Sequence, residues 1–466
     1  MVRRSGPHPV VLLVIVLLAA SSAPAATTYR LGIGVQAGYN SALVQPVERL
    51  GESTGTVAAA TLSLRPFVQL RTETGRISEI FSYQFLGEGM LVVQEVTPAF
   101  SYQNAIDSQT RLDLNPRVTW SVGISGSQGR LNSFAQIQNA GAQIIEAPNL
   151  VVQDFLAVSA TSQLQAEATA RLRLWQPVAF RAFIPYGTIN RLNVETGEDE
   201  PINVTGALQS YSLDGGLGLD YELARARLGA ELRAGCFLPQ RGAGQAQAEA
   251  QPLVTGQALV RLNADLAPRW RVDLQAGAFV VTRADAFLRG RHIVGEGPTI
   301  RQVQSTLATP VGGLTLSYAL PQVEALLLLS YQHTAMGEVF IGRMTLSDAI
   351  TLRAVVPLPH RLGLSGSVGY RHADLFVGST LARTDYRVNP LTQVDEAVSL
   401  GQTYDLFLTD AALSWAVRDG MSLFLRYTYQ YQKVRGELMD DSQLGLQDFD
   451  RHLAVLGLSL HWPTDR

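Results

Sequence analysis

Apolar and polar residues alternate over several long segments of this chain. In residues 118–125 and 226–235 every second residue is apolar, and the residues between them are polar or glycine. Successive side chains of a β-strand point to opposite faces, so a period of two predicts strands with one apolar and one polar face. A helix would place Arg227 and Glu231 beside Leu228 and would leave no apolar stripe. The pattern therefore predicts an all-β protein.

The alternating segments are too long for an ordinary soluble sheet. They run for about 10 to 13 residues, whereas soluble strands average about five or six. A tilted strand needs about 9 to 11 residues to cross a bilayer. The longest aliphatic run after the first 25 residues, Ala325 to Leu329, is too short for a membrane-spanning helix. Backbone groups in hydrocarbon must pair internally, so a membrane protein of this pattern is expected to be a closed barrel.

Short turns and long polar segments divide the chain in alternation. The long segments are residues 128–148, 193–203, 283–301 and 373–401. Short turns at one end and long loops at the other are typical of outer-membrane barrels. Eight short turns, with both termini on the same periplasmic side, divide the chain into about 18 strands. We therefore predict a transmembrane antiparallel up-and-down barrel of about 18 strands, or of 16 if residues 29–39 do not pair. The predicted turns are Glu73-Thr74-Gly75, Asn115-Pro116, Gln176-Pro177, Ala224-Arg225, Ala267-Pro268, Pro321-Gln322, Pro357 to Pro359 and Arg418-Asp419-Gly420.

Aromatic residues fall near the ends of the predicted strands. Amphipathic rings favour the level of the lipid headgroups, so two aromatic girdles are expected. Near the short turns and the C-terminus lie Trp120, Trp175, Trp270, Trp415 and Trp462; toward the loops lie Tyr186, Tyr331, Tyr370, Tyr427, Tyr429 and Tyr431. A secreted soluble propeller or sandwich is the alternative that alternation alone leaves open.

The first 25 residues have the pattern of a secretory signal. Arg3 and Arg4 precede an aliphatic stretch at residues 10–20, and Ala23-Pro24-Ala25 offers a cleavage site. We expect residues 1–25 to be a cleaved signal peptide and residues 26–466 to be one barrel in the bacterial outer membrane. Its expected partners are outer-membrane lipid, lipopolysaccharide and the barrel assembly machinery.

Composition and motifs indicate neither an enzyme nor a nucleic-acid-binding protein. The net charge of −3 falls to −5 on loss of the two signal-peptide arginines, so a concentrated basic face is not expected. Cys236 is the single cysteine, which excludes an intramolecular disulfide. We predict no catalytic residue, cofactor or metal. The pair His372 and Asp374 is interpreted as solvated side chains at a strand end.

Two regions carry a family resemblance. The final alternating segment, residues 454–462, resembles the C-terminal strand that barrel assembly machinery recognises. Residues 112–125 (LDLNPRVTWSVGIS) and 262–277 (LNADLAPRWRVDLQAG) resemble poorly characterised outer-membrane barrels associated with exopolysaccharide export or protein sorting. The resemblance implies an outer-membrane location and, as a narrower expectation, polysaccharide export.

The polar face of the strands would line the lumen. It would form either a wet conduit for polysaccharide or other hydrophilic solutes, or a plugged interior of paired charges. A barrel of about 18 strands is wide enough for a channel, which favours the conduit, with residues 128–148 and 373–401 as gating loops. A non-conducting structural or adhesion barrel is the alternative. The candidate lumen-lining residues are Arg117, Arg171, Arg173, Arg227, Glu231, Arg233, Arg261, Asp265, Arg271, Asp273 and Arg426.

Overall fold

The strands of this protein form one closed barrel. The computed structural model describes residues 26–44, 49–50, 56–92, 98–131, 153–186, 188–192, 199–203, 209–238, 252–289, 300–338, 343–376, 383–388, 395–400, 402–435 and 448–462. Within these ranges no helix is long and apolar enough to cross a membrane. The predicted signal peptide, residues 1–25, lies outside the described residues.

The described residues contain eighteen barrel strands, each antiparallel to the strands before and after it in sequence. The last strand pairs with the first, with Leu31 opposite Trp462, and this pairing closes the barrel. Residues 29–39 lie in the first strand, so the predicted number of 18 is confirmed. The strands are β1 Ala26–Val44, β2 Thr56–Glu73, β3 Ile77–Val92, β4 Pro98–Asn115, β5 Val118–Leu131, β6 Gln153–Glu167, β7 Leu172–Tyr186, β8 Ser210–Glu222, β9 Ala226–Leu238, β10 Leu253–Ala267, β11 Trp270–Arg289, β12 Ile300–Leu320, β13 Ala325–Glu338, β14 Arg343–Leu358, β15 Leu362–Phe376, β16 Gln402–Arg418, β17 Met421–Arg435 and β18 Phe449–Trp462.

Short strands outside the wall account for the remaining β-structure in the described part of the chain. Arg49–Leu50, Thr188–Leu192 and Asp199–Asn203 form a three-stranded sheet on the loop side. Arg383–Val388 and Asp395–Leu400 form a hairpin between β15 and β16. Asp199–Asn203 and the hairpin lie in the predicted long loops 193–203 and 373–401, whereas Arg49–Leu50 and Thr188–Leu192 lie outside the predicted loops.

One predicted turn is wrong. Gln176-Pro177 lies inside β7, and the chain turns instead at residues 168–171, where the Ala168 amide donates to the Leu172 carbonyl over 2.9 Å. The pairing of β7 with β8 is interrupted between Val178 and Trp175, across the proline. Proline has no amide hydrogen to donate, so it breaks the ladder locally. The ladder resumes on both sides of it, so the strand continues.

The outer face of the barrel is apolar. Leu62, Leu217, Leu232 and Val260 are each more than 60% exposed, and they alternate with inward-facing polar or small residues. Exposed apolar surface on this scale is stable only against lipid. A closed up-and-down barrel with such a belt is the architecture of bacterial outer-membrane proteins, and this chain lies in that membrane.

The girdle near the short turns contains four of the five tryptophans. Trp120, Trp270, Trp415 and Trp462 are between 41% and 51% exposed on the outer face. The ring of Trp270 packs against that of Tyr318 at a tilt, with centroids 4.5 Å apart. This confirms the predicted girdle for these four residues.

Trp175 was assigned to the same girdle, and that prediction is wrong. Its neighbours Leu174 and Val178 are exposed on the outer face, so Trp175 points into the lumen. It lies flat against β8, where a Cβ on Gly218 would come within 2.2 Å of the indole. Only glycine leaves room for the ring at this position, which explains why Trp175 can turn inward.

A repeated side-chain motif marks the loop-side end of the apolar belt. The Tyr331 hydroxyl donates to Asp348 Oδ1 over 2.7 Å, and His333 Nδ1 lies 2.8 Å from the same oxygen. The next hairpin repeats this arrangement with Tyr370, His372 and Asp405 at the same distances. In both cases tyrosine and histidine are two residues apart, and the aspartate lies directly across from the histidine. The tyrosine rings thereby end the apolar belt at a fixed polar level.

The height of the belt agrees with the thickness of an outer membrane. Leu362, opposite Trp415, and Tyr370 are eight residues apart on β15, which is about 27 Å along the strand. A strand tilt of about 40° reduces this to about 21 Å, close to the band of about 25 Å found in outer-membrane barrels.

Candidate functional site: the lumen and its extracellular constriction

Nine of the eleven predicted lumen residues occupy inner-facing strand positions. On β9, for example, Leu228 and Leu232 are exposed outward, and the Glu231 side chain between them is only 1% exposed. Arg117 and Arg171 instead lie in short turns at the periplasmic end. The nine inner-facing residues are Arg173, Arg227, Glu231, Arg233, Arg261, Asp265, Arg271, Asp273 and Arg426.

Glu231 is the centre of a charge cluster on the lumen wall. Its two carboxylate oxygens accept from Arg233 and Arg261. The Arg261 guanidinium lies 5.6 Å from the centroid of the Trp175 ring, so the inward-facing tryptophan supports it through a cation–π contact. Both arginines remain partly exposed to the lumen, so the cluster presents a net positive surface.

Three of the other predicted arginines also pair along the wall. Arg173 bridges Glu167 and Glu222 over 3.5 and 3.3 Å, and Arg227 reaches Glu222 over 2.8 Å. Arg426 donates to Asp410 over 2.5 Å. These pairs favour the interpretation that many lumen charges brace neighbouring strands. Contact of the same residues with a solute stays a prediction.

A polar cavity of about 470 Å³ lies at the periplasmic end of the barrel. Arg76, Arg111 and Arg117 line it together with Asp113 and Glu167. Arg111 pairs with Asp113 over 3.2 Å, so the remaining guanidinium groups give this entrance a basic lining.

The two sides of the inner wall differ in polarity. On one side, a group of buried polar residues from β1, β2, β4, β5, β17 and β18 was missed by the sequence analysis. Alternation with exposed neighbours such as Leu62 and Leu425 would have identified them as inner-facing. These residues are Asn40, Ser63, Ser101, Gln103, Ser127, Thr428, Gln430, Gln432 and Arg451.

The opposite side is apolar toward the extracellular mouth. Phe155, Phe183 and Phe237 are at most 2% exposed, although each lies on the inner face of its strand. They belong to one continuous apolar cluster, which we call the phenylalanine cluster. It extends from β6 to β14. The remaining buried members are Ala157, Leu253, Leu259, Phe279, Val281, Val311, Ala335 and Met344.

The tip of the β13–β14 hairpin lies inside the barrel. Tyr331 and Ile350 are 44% and 48% exposed on the outer face. Ala335 and Met344 have the same strand parity, and the register between β13 and β14 is continuous from Leu326 to Glu338. They should therefore face outward, yet they are 6% and 0% exposed within the phenylalanine cluster.

Contacts with the inner surface of β9 explain this inversion. A Cβ placed on Gly337 would lie 2.5 Å from Cδ2 of Phe237, which projects inward from β9. The outer surface of the tip therefore packs against the inner surface of the wall. Because the tip occupies the lumen, the barrel narrows at this level. We call the described residues 334–338 and 343–347 the tucked tip.

The other face of the tucked tip is polar. Thr334 Oγ1 lies 3.1 Å from Ser347 Oγ, and Arg371 of β15 donates to Ser347 over 3.4 Å. The Arg371 guanidinium also lies 5.6 Å from the centroid of the Tyr404 ring. An amphipathic tip thus separates the phenylalanine cluster from a polar side of the lumen on which Arg371 lies.

The wall is split beside the tucked tip. Pairing between β12 and β13 ends with Gly312 opposite His333, although β12 continues to Ile300 and β13 to Glu338. Pro310 lies just beyond the split, and proline is tolerated at a strand edge because it has no amide hydrogen to contribute to a ladder. Along the described residues, this side of β12 from Ile300 to Val311 has no strand partner.

The two predicted gating loops have different outcomes. Most of residues 128–148 lie outside the described residues. Within residues 373–401, the hairpin Arg383–Val388 and Asp395–Leu400 pairs in parallel with Phe287 and Leu288 of β11. The hairpin therefore contacts β11, four strands around the wall from β15, where the loop begins. A gating role for it stays a prediction.

Replacing Glu231 by alanine should destabilise the barrel by about 1–3 kcal/mol, because two arginines lose their shared acceptor. The loss is kept moderate by the partial exposure of both arginines. Urea titration of the refolded protein, followed by heat-modifiable gel mobility, measures the change. Glu73→Ala, which removes a half-exposed pair with Arg71, is the matched control and should have little effect. Equal effects of the two substitutions would show that the Glu231 cluster carries no special stability.

Solved outer-membrane barrels resemble this chain in overall fold. OpdK from Pseudomonas aeruginosa is 11% identical with a TM-score of 0.39, and the match covers 93% of this chain and 99% of that chain. The copper transporter OprC is 9% identical with a TM-score of 0.44, covering 94% of this chain and 81% of that one. The FrpB iron transporter from Neisseria meningitidis is 8% identical with a TM-score of 0.46 and the same coverage. No protein-family model and no curated protein matches the chain.

Proposed function

We propose that this protein is an outer-membrane pore for hydrophilic solutes, with its narrow point beside the tucked tip. The observation that carries the proposal is the division of the lumen at that level. The phenylalanine cluster fills one side, and the partly buried Arg371 lies on the other side, beside the polar face of the tip. Closed barrels of this strand number are wide enough to conduct when nothing fills them.

The charge of the narrow point indicates a preference for anions. Arg371 lies there between Ser347 and the Tyr404 ring. A guanidinium at the narrowest part of a pore acts on every passing ion, whereas charges in wide parts are screened. Passage of acidic polysaccharide is the narrower form of the proposal, and it rests on the resemblance of residues 112–125 and 262–277 to export-associated barrels.

Refolded protein in planar bilayers should show steady channels that favour anions, and Arg371→Gln should shift the reversal potential toward cation preference. Arg353→Gln removes the same charge from an exposed inner position closer to the periplasmic turn and serves as the control. It should shift the potential less. Correctly folded protein that never conducts would overturn the pore and favour the non-conducting structural barrel.

The polysaccharide version has its own measurement. Acidic polysaccharide fragments added on one side should interrupt the current at concentrations where neutral fragments of equal length do not. Equal interruption by both would remove charge as the basis of selection. No interruption by either would restrict the proposal to small hydrophilic solutes.

A further inference from the structure

We infer that the outer face of strands β13 to β18 binds a phosphorylated glycolipid of the outer leaflet, through charged side chains at the extracellular end of the apolar belt. The outer leaflet of a bacterial outer membrane consists mainly of lipopolysaccharide, a glycolipid whose headgroup sugars carry phosphate. The inference concerns the lipid side of the wall and goes beyond the proposed pore function. A barrel that never conducts would leave it standing.

Six consecutive strands contribute one side chain each to a row around the outer wall, which we call the charge row. Each of the first five members lies directly opposite the next, and the fifth donates to the sixth. Basic and acidic residues alternate along the row, so each has neighbours of the opposite kind. The members are His333, Asp348, His372, Asp405, Lys433 and Asp448.

The charge row lies at the level of the lipid headgroups. Tyr331, Tyr370 and Tyr431 are between 41% and 44% exposed on the outer face, and each precedes a basic member of the row by two residues. Residues two apart share a face of the strand and are separated by about 7 Å. The headgroup region extends about 5–8 Å beyond the hydrocarbon on each side of a bilayer. The row therefore meets headgroups, and the tyrosine rings below it meet the ends of the acyl chains.

Two carboxylates of the row are already supplied with donors by the barrel itself. Asp405 accepts from the Tyr370 hydroxyl over 2.7 Å and from Arg435 over 3.2 Å, and its side chain is only 17% exposed. Asp448 accepts from Lys433. These contacts brace β15 to β18 against one another, so this part of the row is ordered without any partner.

The two cations of β17 keep donors for a lipid. Lys433 is the only lysine in the sequence, and Arg435 follows it by two residues on the same face. The Arg435 side chain is 72% exposed and that of Lys433 is 48% exposed. An ammonium has three donors and a guanidinium five, so neither is exhausted by its one aspartate. Both side chains can reach the same phosphate group, and we call this pair the phosphate site.

An exposed carboxylate beside the phosphate site suits the sugar of the same headgroup. Asp374 of β15 lies opposite Thr403, which in turn lies opposite Arg435. It is therefore level with the phosphate site and two strands away, which is about 10 Å. The Asp374 side chain is 47% exposed, and His372 Nε2 lies 3.5 Å from it. A carboxylate there can accept from sugar hydroxyls, so the surface favours a phosphorylated sugar over the smaller headgroup of a phospholipid.

The single lysine allows a direct test of the phosphate site. Folded protein is placed in phospholipid vesicles alone, with lipopolysaccharide or with dephosphorylated lipopolysaccharide, and treated with an amine-reactive acylating reagent. Modification of Lys433 is measured by mass spectrometry, with the amino terminus as the reference amine. We expect lipopolysaccharide to slow the modification several-fold and its dephosphorylated form to slow it much less. Equal rates in the three kinds of vesicle would overturn the inference.

Paired substitutions separate the phosphate site from a general affinity for lipid. The lipopolysaccharide that co-elutes with folded protein in mild detergent should fall several-fold in Lys433→Gln with Arg435→Gln. Arg361→Gln is the control, because it removes a 61% exposed cation paired with Asp419 over 3.1 Å in a periplasmic turn. It should retain as much lipopolysaccharide as the unaltered protein.

Two results would contradict the glycolipid site. Equal losses in the paired variant and in the control would show that the position of the charge is irrelevant. Protection of Lys433 that rises with protein density at constant lipid composition would show that a second copy of the chain covers this face. Heat-modifiable gel mobility confirms that each variant is folded before its lipid is measured.

Discussion

Removing the tucked tip should raise single-channel conductance several-fold. Thr334 and Ser347 are cross-strand partners, so an Asn-Gly turn can join them in place of residues 335–346. The deletion takes Ala335 and Met344 out of the phenylalanine cluster and leaves the lower part of both strands paired. Because the tip fills the lumen at this level, its loss widens the narrow point.

The measurement is conductance in planar bilayers, with heat-modifiable mobility as evidence of folding. The control trims only the end of the β11–β12 hairpin, joining Leu288 to its partner Arg301 through the same turn, which keeps the pairing of Phe287 and Leu288 with the strand Arg383–Val388. That hairpin extends beyond the split in the wall, so its shortening leaves the tucked tip in place and should change conductance less. Unchanged conductance of a folded tip deletion would show that the tip does not limit flow.

The strands could be predicted from the sequence for a physical reason. A barrel wall has lipid on one side and the lumen on the other, so apolar and polar residues must alternate along every strand. Leu228 therefore indicates the lipid side of its strand, and Arg227 indicates the lumen side. The proline, glycine and short polar residues of the turns then mark where one strand ends and the next begins. Together these two signals predicted the 18 strands and the inward direction of residues such as Glu231 and Arg261.

The two local errors arose where one residue acted against its average tendency. Pro177 interrupts a ladder without ending the strand, because only its missing amide hydrogen matters there. Trp175 faces inward because Gly218 on the next strand leaves space for the ring. That contact joins residues more than forty positions apart. Neither outcome follows from the neighbouring sequence alone.

The constriction could not be predicted from the sequence, for a different reason. Residues 334–338 and 343–347 alternate in the same way whether the tip stands in the wall or folds into the lumen, since its apolar face meets lipid, solvent or Phe237 from the same side of the strand. The position depends on which surface the tip meets in the folded barrel. Pro310 was the available signal, because a proline within an otherwise continuous β12 indicates a free edge.

Arginine placed at Leu232 should destabilise the barrel by about 2–4 kcal/mol, the range for a charged side chain at mid-depth on the lipid face of a barrel. Leu232 is 64% exposed in the middle of β9, opposite Leu217 on the neighbouring strand. Lipid surrounds it, so the guanidinium must either lose its hydration or distort the bilayer to retain it.

Thr161→Arg on β6 is the matched comparison. Thr161 is also in the middle of its strand but faces inward, where its hydroxyl approaches the Gly123 carbonyl at 3.5 Å. A guanidinium there remains in a polar lumen and should change stability by less than about 1 kcal/mol. The measurement is urea unfolding in lipid vesicles, followed by tryptophan fluorescence. A larger loss for Thr161→Arg than for Leu232→Arg would show that the two faces have been assigned the wrong way round, because only the face in contact with lipid penalises charge at mid-depth.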